Sequence, residues 1–259
     1  MTLERRHLGG EVYALVSTTL EESGFLAAFT ERTGGVSPPP FDTLNCSLVT
    51  DDDLSNGREN RARVIGGLGI PPFASGYQVH GTRVERIGPA RRGAGFEDPN
   101  TRIPAADGLA TQSARIPLAI LVADCLPIVL AAPAEGTVAV VHAGWRGLAG
   151  GILSRAVQAF DDPGGVRAVI GPAIGSDHYE VGEDVAAAVG SGCGSRAVTV
   201  RRNGALHLDL SATARAALGG LGVGHLEEAG VCTACEPDRF YSHRGEGTTG
   251  RQLGLAVRL

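Results

Sequence analysis

Three residues of this chain carry soft metal-ligating atoms inside short, distinctive segments. His80 lies in Tyr77-Gln78-Val79-His80-Gly81, Cys125 in Ala123-Asp124-Cys125-Leu126-Pro127, and His142 in Val141-His142-Ala143-Gly144-Trp145-Arg146-Gly147. Two imidazoles and a thiolate suit a borderline-soft ion such as zinc, and the same set accepts copper. Three protein ligands leave a fourth position open, the arrangement of a catalytic rather than a structural site. Convergence of the three would make the chain a metalloenzyme.

Each residue also has a plainer explanation. A cysteine closing an apolar strand is most often inert core. Asp124 beside it changes the weighting, because a carboxylate in an apolar run needs hydrogen-bond partners or solvent. On a strand, Asp124 and Cys125 should point to opposite faces, and Asp124 could move protons or orient a ligand. His142 ends the apolar run Val138-Ala139-Val140-Val141 and precedes a glycine-bearing turn into a helix. The first N–H groups of that helix could bind an anion, with Arg146 as a forked donor for phosphate or carboxylate. The alternative is a solvated Arg146 beside a packed Trp145. His80 gains weight only in company with the other two. Gln78 could hold or polarise a ligand, or simply make a structural hydrogen bond. Arg244 and Arg251, in the glycine-rich segment 240–252, could clamp an anionic group or lie on a surface loop. Asn45 and the turn Thr33-Gly34-Gly35 stay undecided. Cys232-Thr233-Ala234-Cys235 has C-x-x-C spacing, but Cys46 and Cys193 are isolated, so no second pair completes a zinc ribbon. Its flanks are not thioredoxin-like, and the motif is assigned to structure.

The elements that must position these residues are clearest in the middle of the chain. Residues 118–125 read as a buried strand continuing past Pro127 to Leu130, and 137–142 as its neighbour. Residues 148–160 read as a helix with Ile152, Leu153, Ala156, Val157 and Phe160 on one face. Residues 166–170 form a strand stopped by Gly171-Pro172, 58–68 and 211–221 are further helices, and 253–259 is a terminal strand. Short strands are expected on both sides of a kink at Gly81, and a surface loop over 91–100. Cys125 and His142 then lie at the ends of adjacent strands, and residues so placed can meet across a few ångströms. Single strands, strand pairs and alternation with helices indicate α/β or α+β with mixed sheets.

The chain has 259 residues, enough for one large domain or two small ones, and at 43% hydrophobic it can bury a sizeable core. Its positive side chains are all arginine, which excludes a lysine Schiff base or a P-loop lysine. The net charge of -5 argues against a general nucleic-acid binder. The first ten residues are charged and unlike a signal peptide, and the longest apolar stretch, 116–132, is cut by Asp124 and two prolines. A cytoplasmic protein with no membrane association is expected. Five irregularly spaced cysteines do not make a disulfide framework.

In order, Phe29-Thr30-Glu31-Arg32-Thr33-Gly34-Gly35-Val36-Ser37, Asn45, Glu59-Asn60-Arg61, Gln78-Val79-His80-Gly81, Ala106-Asp107-Gly108 and Ala123-Asp124-Cys125 form a series. It continues through His142-Ala143-Gly144-Trp145-Arg146-Gly147, Ile170-Gly171-Pro172-Ala173-Ile174-Gly175 and Thr249-Gly250-Arg251. Together these segments resemble the YfiH-like family, also described as laccase-domain or polyphenol oxidase proteins. The resemblance spans nearly the whole chain. It implies an α+β fold of mixed β-sheets packed with helices, a cytoplasmic YfiH-like single domain over residues 1–259. It also implies a zinc pocket whose ligands map onto His80, Cys125 and His142, with a phosphate-binding arginine at Arg251. The resemblance further implies a purine nucleoside phosphorylase that also shows adenosine deaminase and methylthioadenosine phosphorylase activity. A laccase label fits poorly, because multicopper sites need many more histidines than the seven here. Relatives often carry an aromatic where this chain has His243, which bears on the shape of the nucleobase pocket.

The leading expectation is phosphorolysis of purine nucleosides, with Arg251 and Arg146 on phosphate. A different enzyme class keeps Cys125 as a nucleophile activated by His142, in an amidase editing peptidoglycan precursors. A third possibility is a zinc-stabilised nucleotide-binding module without turnover.

Overall fold

Continuous apolar runs, buried on both faces, make the central strands, and carboxylate caps start the helices at Leu54 and Leu210. The computed structural model describes residues 3–194 and 197–259. From the N-terminus these form β1 (Glu4–Gly9), β2 (Val12–Val16), α1 (Thr18–Glu21), β3 (Phe25–Thr30), α2 (Leu54–Leu68), β4 (Ala74–Ser75), β5 (Val84–Arg86), β6 (Gly108–Thr111) and β7 (Leu118–Val122). There follow β8 (Leu126–Ala132), β9 (Thr137–Ala143), α3 (Trp145–Ala149), α4 (Ile152–Val157), β10 (Arg167–Ile170), β11 (Glu180–Val181) and α5 (Glu183–Gly192). The chain closes with β12 (Thr199–Arg202), β13 (Ala205–Leu208), α6 (Leu210–Gly220), β14 (His225–Glu228), α7 (His243–Glu246) and β15 (Gln252–Arg258).

One sheet has the order β1-β2-β3-β15-β7-β4, a second β14-β10-β8-β9-β6-β5, and a small third β11-β13-β12. The two large sheets are mixed: β4–β7, β5–β6 and β10–β14 pair parallel, and their other pairs are antiparallel. The α+β expectation therefore holds, and side-chain parity shows how the layers stack. Leu118, Ile120 and Val122 of β7 meet Val129 and Ala131 of β8 and Val138 and Val140 of β9 in a core between the large sheets. Opposite-parity residues Ile128, Leu130, Ala139 and Val141 pack instead against Ile152, Leu153 and Ala156 of α4 and Ala214 and Leu218 of α6. On the far side of the first sheet, Ala28, Leu253 and Leu255 pack with Val64 of α2. The order is helix, sheet, sheet, helices.

Four local expectations need correction. The single strand expected over 118–130 is two strands in different sheets, β7 and β8, joined by residues 123–125, which cross from one sheet to the other. Asp124 makes that crossing with a left-handed backbone, φ 85, so strand alternation does not govern Asp124 and Cys125. The helix expected over 148–160 is broken into α3 and α4 at Gly151, whose φ of 84 no continuous helix can contain. Of the two strands expected around Gly81, only β5 forms. α2 begins at Leu54 rather than Arg58, because the Asp53 carboxylate accepts from Ser55 N–H and caps it there.

Candidate metal and substrate site

The register of β8 on β9 sets two donors side by side. Leu126 pairs with Ala143 and Pro127 with His142, so Cys125, just before β8, arrives next to the end of β9. His142 shares the parity of Val138 and Val140, so its ring points into the space between the sheets and is buried. β6 runs along the other side of β9, with Gly108 opposite Val141, which places Asp107 against His142. His142 N–H donates to the Asp107 carbonyl at 2.7 Å, and His142 Nδ1 donates to Asp107 Oδ1 at 2.8 Å. That bond fixes the tautomer and leaves Nε2 as the metal-facing nitrogen.

His80 is positioned by the same carboxylate. The chain ahead of β5 wraps Asp107, which accepts from Val79 N–H at 3.1 Å, His80 N–H at 2.9 Å and Gly81 N–H at 2.8 Å. His80 itself adopts φ 57, a conformation a non-glycine residue holds only when its surroundings impose it. Its ring lies edge-on to that of His142, centroids 4.8 Å apart. One ligand atom each from His80, Cys125 and His142 fall within 4.8 Å of one another. Tetrahedral zinc spaces nitrogen and sulfur ligands by about 3.3–3.8 Å, so modest side-chain adjustment closes the set. The adjoining backbone is glycine, as close approach requires: a Cβ on Gly144 would lie 2.9 Å from Cys125 Sγ and 3.2 Å from His80 Cδ2. The donor set fits a soft divalent ion.

Electrostatics tie the three acid–base groups into one line. Burial pushes the Cys125 thiol up, but hydrogen bonds with His142 and His80 outweigh it and bring the thiol down to about 6. Burial pushes His142 down, but Asp107 and Cys125 outweigh it and hold the imidazole up to about 9. Asp107, fully buried, lies below the usual carboxylate range: desolvation opposes ionisation, and His142 with the backbone N–H groups overcomes it.

Beside the triad opens a cavity of about 490 Å³. Its charged lining is four arginines, Arg102, Arg146, Arg244 and Arg251, against one carboxylate, Asp124. Asp124 is spoken for: Oδ1 accepts from Thr233 Oγ1 at 2.7 Å and Oδ2 from Arg244 N–H at 2.6 Å. Three arginines each lie over an aromatic wall residue: Arg102 over Tyr77 at 4.9 Å, Arg146 over Trp145 at 4.5 Å, and Arg244 over Tyr179 at 5.2 Å. Arg251 is held differently. Its Nη1 donates to the carbonyls of Thr249 and Gly250, both at 2.8 Å, and its backbone N–H donates to Asn45 Oδ1 at 3.0 Å. Burial lowers the Arg251 pKa. Among the described residues, no protein acceptor meets its Nε or Nη2.

The structure thus brings His80, Cys125, His142, Asp124, Arg146, Arg251 and Gln78 to one cavity. Gln78 spends its amide as a strut, donating to the Leu121 carbonyl and accepting from Leu121 N–H, each at 2.8 Å. Asn45 is fully buried behind the wall, where it anchors Arg251 and accepts from Ser47 N–H at 3.1 Å. Asp107 is the residue sequence reasoning missed. Asp107 lies in the Ala106-Asp107-Gly108 segment of the family series, but nothing local distinguishes a carboxylate that serves partners 26 to 35 positions away. Thr233, Tyr179 and Arg102 were missed for the same reason.

Comparison with known proteins places this geometry in a family. Residues 26–258 match the family described as multi-copper polyphenol oxidoreductase laccase. A purine nucleoside phosphorylase of Xylella fastidiosa is 40% identical over 259 residues, covering 94% of this chain and 96% of that protein. The crystal structure of YlmD from Geobacillus stearothermophilus superposes with a TM-score of 0.90 at 33% identity, covering 99% of each chain. A Bacillus licheniformis protein, YfiH, gives 0.89 at 30% identity, over 98% of this chain and 99% of that one. The chain belongs to this laccase-domain, YfiH-like family.

Proposed function

We propose that this chain is a cytoplasmic, zinc-dependent purine nucleoside phosphorylase. It cleaves adenosine and inosine with phosphate to free base and ribose 1-phosphate, with adenosine deaminase and methylthioadenosine phosphorylase side activities. The observation that carries the reading is the composition of the cavity: among the described residues, a soft-donor triad, stacking aromatics and four arginines meet in a space whose one carboxylate is already hydrogen-bonded. Such a site attracts an anion and a planar ring together.

In phosphorolysis a phosphate oxygen bonds to C1′ as the C1′–N9 bond breaks, and the electron pair departs with the base, which takes up a proton. Arg251 offers Nε and Nη2 to phosphate from a guanidinium that the Thr249 and Gly250 carbonyls hold in place, while Asn45 fixes its backbone. Trp145, Tyr77 and Tyr179 supply faces for the purine. Asp124 keeps the crossing 123–125 tied to the segment carrying Arg244. His80, Cys125 and His142 would hold zinc, which supplies Lewis acidity toward a purine ring nitrogen or a water, chemistry that deamination of adenosine also needs.

The test is phosphate-dependent release of base from adenosine and inosine by zinc-loaded protein, beside Arg251→Ala and Cys125→Ala. Arg251→Ala should raise KM for phosphate or lower kcat/KM by about 10–100-fold, the worth of a charged hydrogen bond, with zinc retained. Cys125→Ala should lose turnover and zinc. Unchanged activity in Arg251→Ala would sink the phosphate assignment, and nucleoside binding without turnover would support a binding module.

A second reading has its own observation. Without metal, Cys125, His142 and Asp107 form a thiolate–imidazolium–carboxylate line, the apparatus of a cysteine hydrolase. It predicts rapid alkylation of Cys125 in the protein as purified and hydrolysis within a muropeptide panel.

A further inference from the structure

A second cluster of soft donors lies outside the cavity. One ligand atom each from His178, Cys232 and Cys235 fall within 4.8 Å of one another, and none of the three lines the cavity. Topology explains the meeting. β10 and β14 pair parallel, and the chain beyond each strand stays zipped to the other. Ala229 N–H donates to the Ile170 carbonyl at 2.8 Å, Ala173 N–H to Val231 at 3.3 Å, and Thr233 N–H to Ala173 at 3.0 Å. The two loops therefore leave the same sheet end side by side, one with His178, the other with the C-x-x-C turn.

Each loop is shaped toward the sulfurs. Cys235 N–H donates to the Cys232 carbonyl at 3.2 Å, closing a turn that sets both thiols on one side. From the other loop, Gly175 N–H donates to Cys232 Sγ at 3.2 Å, and a Cβ on Gly175 would lie 3.3 Å from that sulfur. An N–H aimed at sulfur stabilises a thiolate, the form that binds metal. His178 N–H donates to the Gly175 carbonyl at 3.1 Å, turning the imidazole back over the pair. His178 and Cys235 are exposed, so an ion has direct access and solvent can complete four-coordination.

We infer that His178, Cys232 and Cys235 form a second soft-metal site that takes zinc and clamps the loop supporting Asp124. Thr233, between the two cysteines, donates to Asp124 Oδ1 at 2.7 Å. Metal on its neighbours fixes the turn from which that hydroxyl projects. A metal site accounts for the pair better than a dithiol redox centre. His178 adds a third donor within reach of both sulfurs, which a metal uses and a dithiol redox pair does not need.

The experiment is zinc content per chain by elemental analysis. Reduced protein is loaded with zinc and freed of loose metal with a weak chelator; the samples are wild type, His178→Ala and Cys235→Ser. Two zinc ions per chain are expected in the wild type, one for each cluster, and one in each variant. In a Cys125→Ala background, cobalt should still give a thiolate charge-transfer band, and zinc should still raise the Tm. Adding Cys235→Ser should abolish both. His178 is exposed, so its replacement leaves the fold intact even where a cysteine variant does not. One zinc per chain in all three proteins, undiminished zinc in both variants, or a Cys232–Cys235 disulfide in the zinc-loaded wild type would each overturn the inference.

Discussion

Asp107→Asn tests whether one carboxylate positions both imidazoles. Asp107 Oδ1 accepts from His80 N–H and His142 Nδ1, and Oδ2 from Val79 N–H and Gly81 N–H. An asparagine cannot satisfy all four donors. Its better orientation keeps oxygen at the Oδ1 position and turns an NH₂ toward Val79 and Gly81, leaving two N–H groups unpaired. Asp107 is fully buried, so water does not replace the acceptor. Each buried unpaired donor costs about 1–3 kcal/mol, so the substitution should cost about 2–6 kcal/mol in all. For a chain of this size each kcal/mol lowers Tm by roughly 2–4 °C.

Part of that loss falls on the metal. The Val79-His80-Gly81 backbone no longer closes on a charge, so the left-handed conformation of His80 loses its anchor. Removing such an outer partner lowers metal affinity by about 10–100-fold, or about 1.4–2.8 kcal/mol at 1.4 kcal/mol per tenfold. Competition against a chromogenic chelator near neutral pH measures the affinity, and thermal unfolding of the metal-free protein measures the rest. An Asp107→Asn protein that binds zinc within twofold of wild type, with unchanged Tm, would refute the reasoning.

Without metal, Cys125 is held down to about 6 and His142 up to about 9. The Cys125 contribution to stability is complete above its unfolded pKa and is lost as pH falls through about 6. The His142 contribution is complete below its unfolded pKa and is lost as pH rises through about 9. Between these limits zinc displaces one proton, from His142. Calorimetry should therefore show apparent affinity rising at least tenfold per pH unit, and more steeply below 6, where Cys125 also carries a proton; a flat profile would contradict this. Gly144→Ala is compatible with its backbone, φ -76, but places a methyl 2.9 Å from Cys125 Sγ. It should lower zinc affinity by about tenfold or more while circular dichroism shows the fold retained. Thr233→Val strands Asp124 Oδ1, and denaturant unfolding should show a loss of about 1–3 kcal/mol.

The donors of the site were legible because thiol and imidazole are scarce and chemically distinctive, and because strand periodicity placed Cys125 and His142 at neighbouring strand ends. Their supports were not. Asp107 acts through contacts that exist only once β6 lies on β9 and the 79–81 segment folds over it. The apolar run 118–130 marks its change of sheet only weakly, since both strands are buried and both are apolar. The local hints are Asp124, a residue that tolerates a left-handed turn, and Pro127 just beyond it. Likewise C-x-x-C at 232–235 lacked a partner on paper, because His178 joins it only through the parallel pairing of β10 and β14.

Two chemistries compete for Cys125, and the support structure weighs between them. A nucleophilic cysteine needs one imidazole to take its proton, with a carboxylate behind it. His142 and Asp107 meet that need alone. Yet the chain brings a second imidazole to the same sulfur, on a residue at φ 57, and spends three backbone N–H groups on holding it there. Left-handed backbone at a non-glycine residue costs of order 1–3 kcal/mol and persists where the surroundings impose it. A hydrolase gains nothing from that expense, whereas an ion needing a third ligand does. Asp107 also gives its charge to four donors rather than to His142 alone, which suits a carboxylate that sets ligand geometry more than one that stabilises a transient imidazolium. The placement of His80 is therefore the strongest structural argument for metal over a free thiolate.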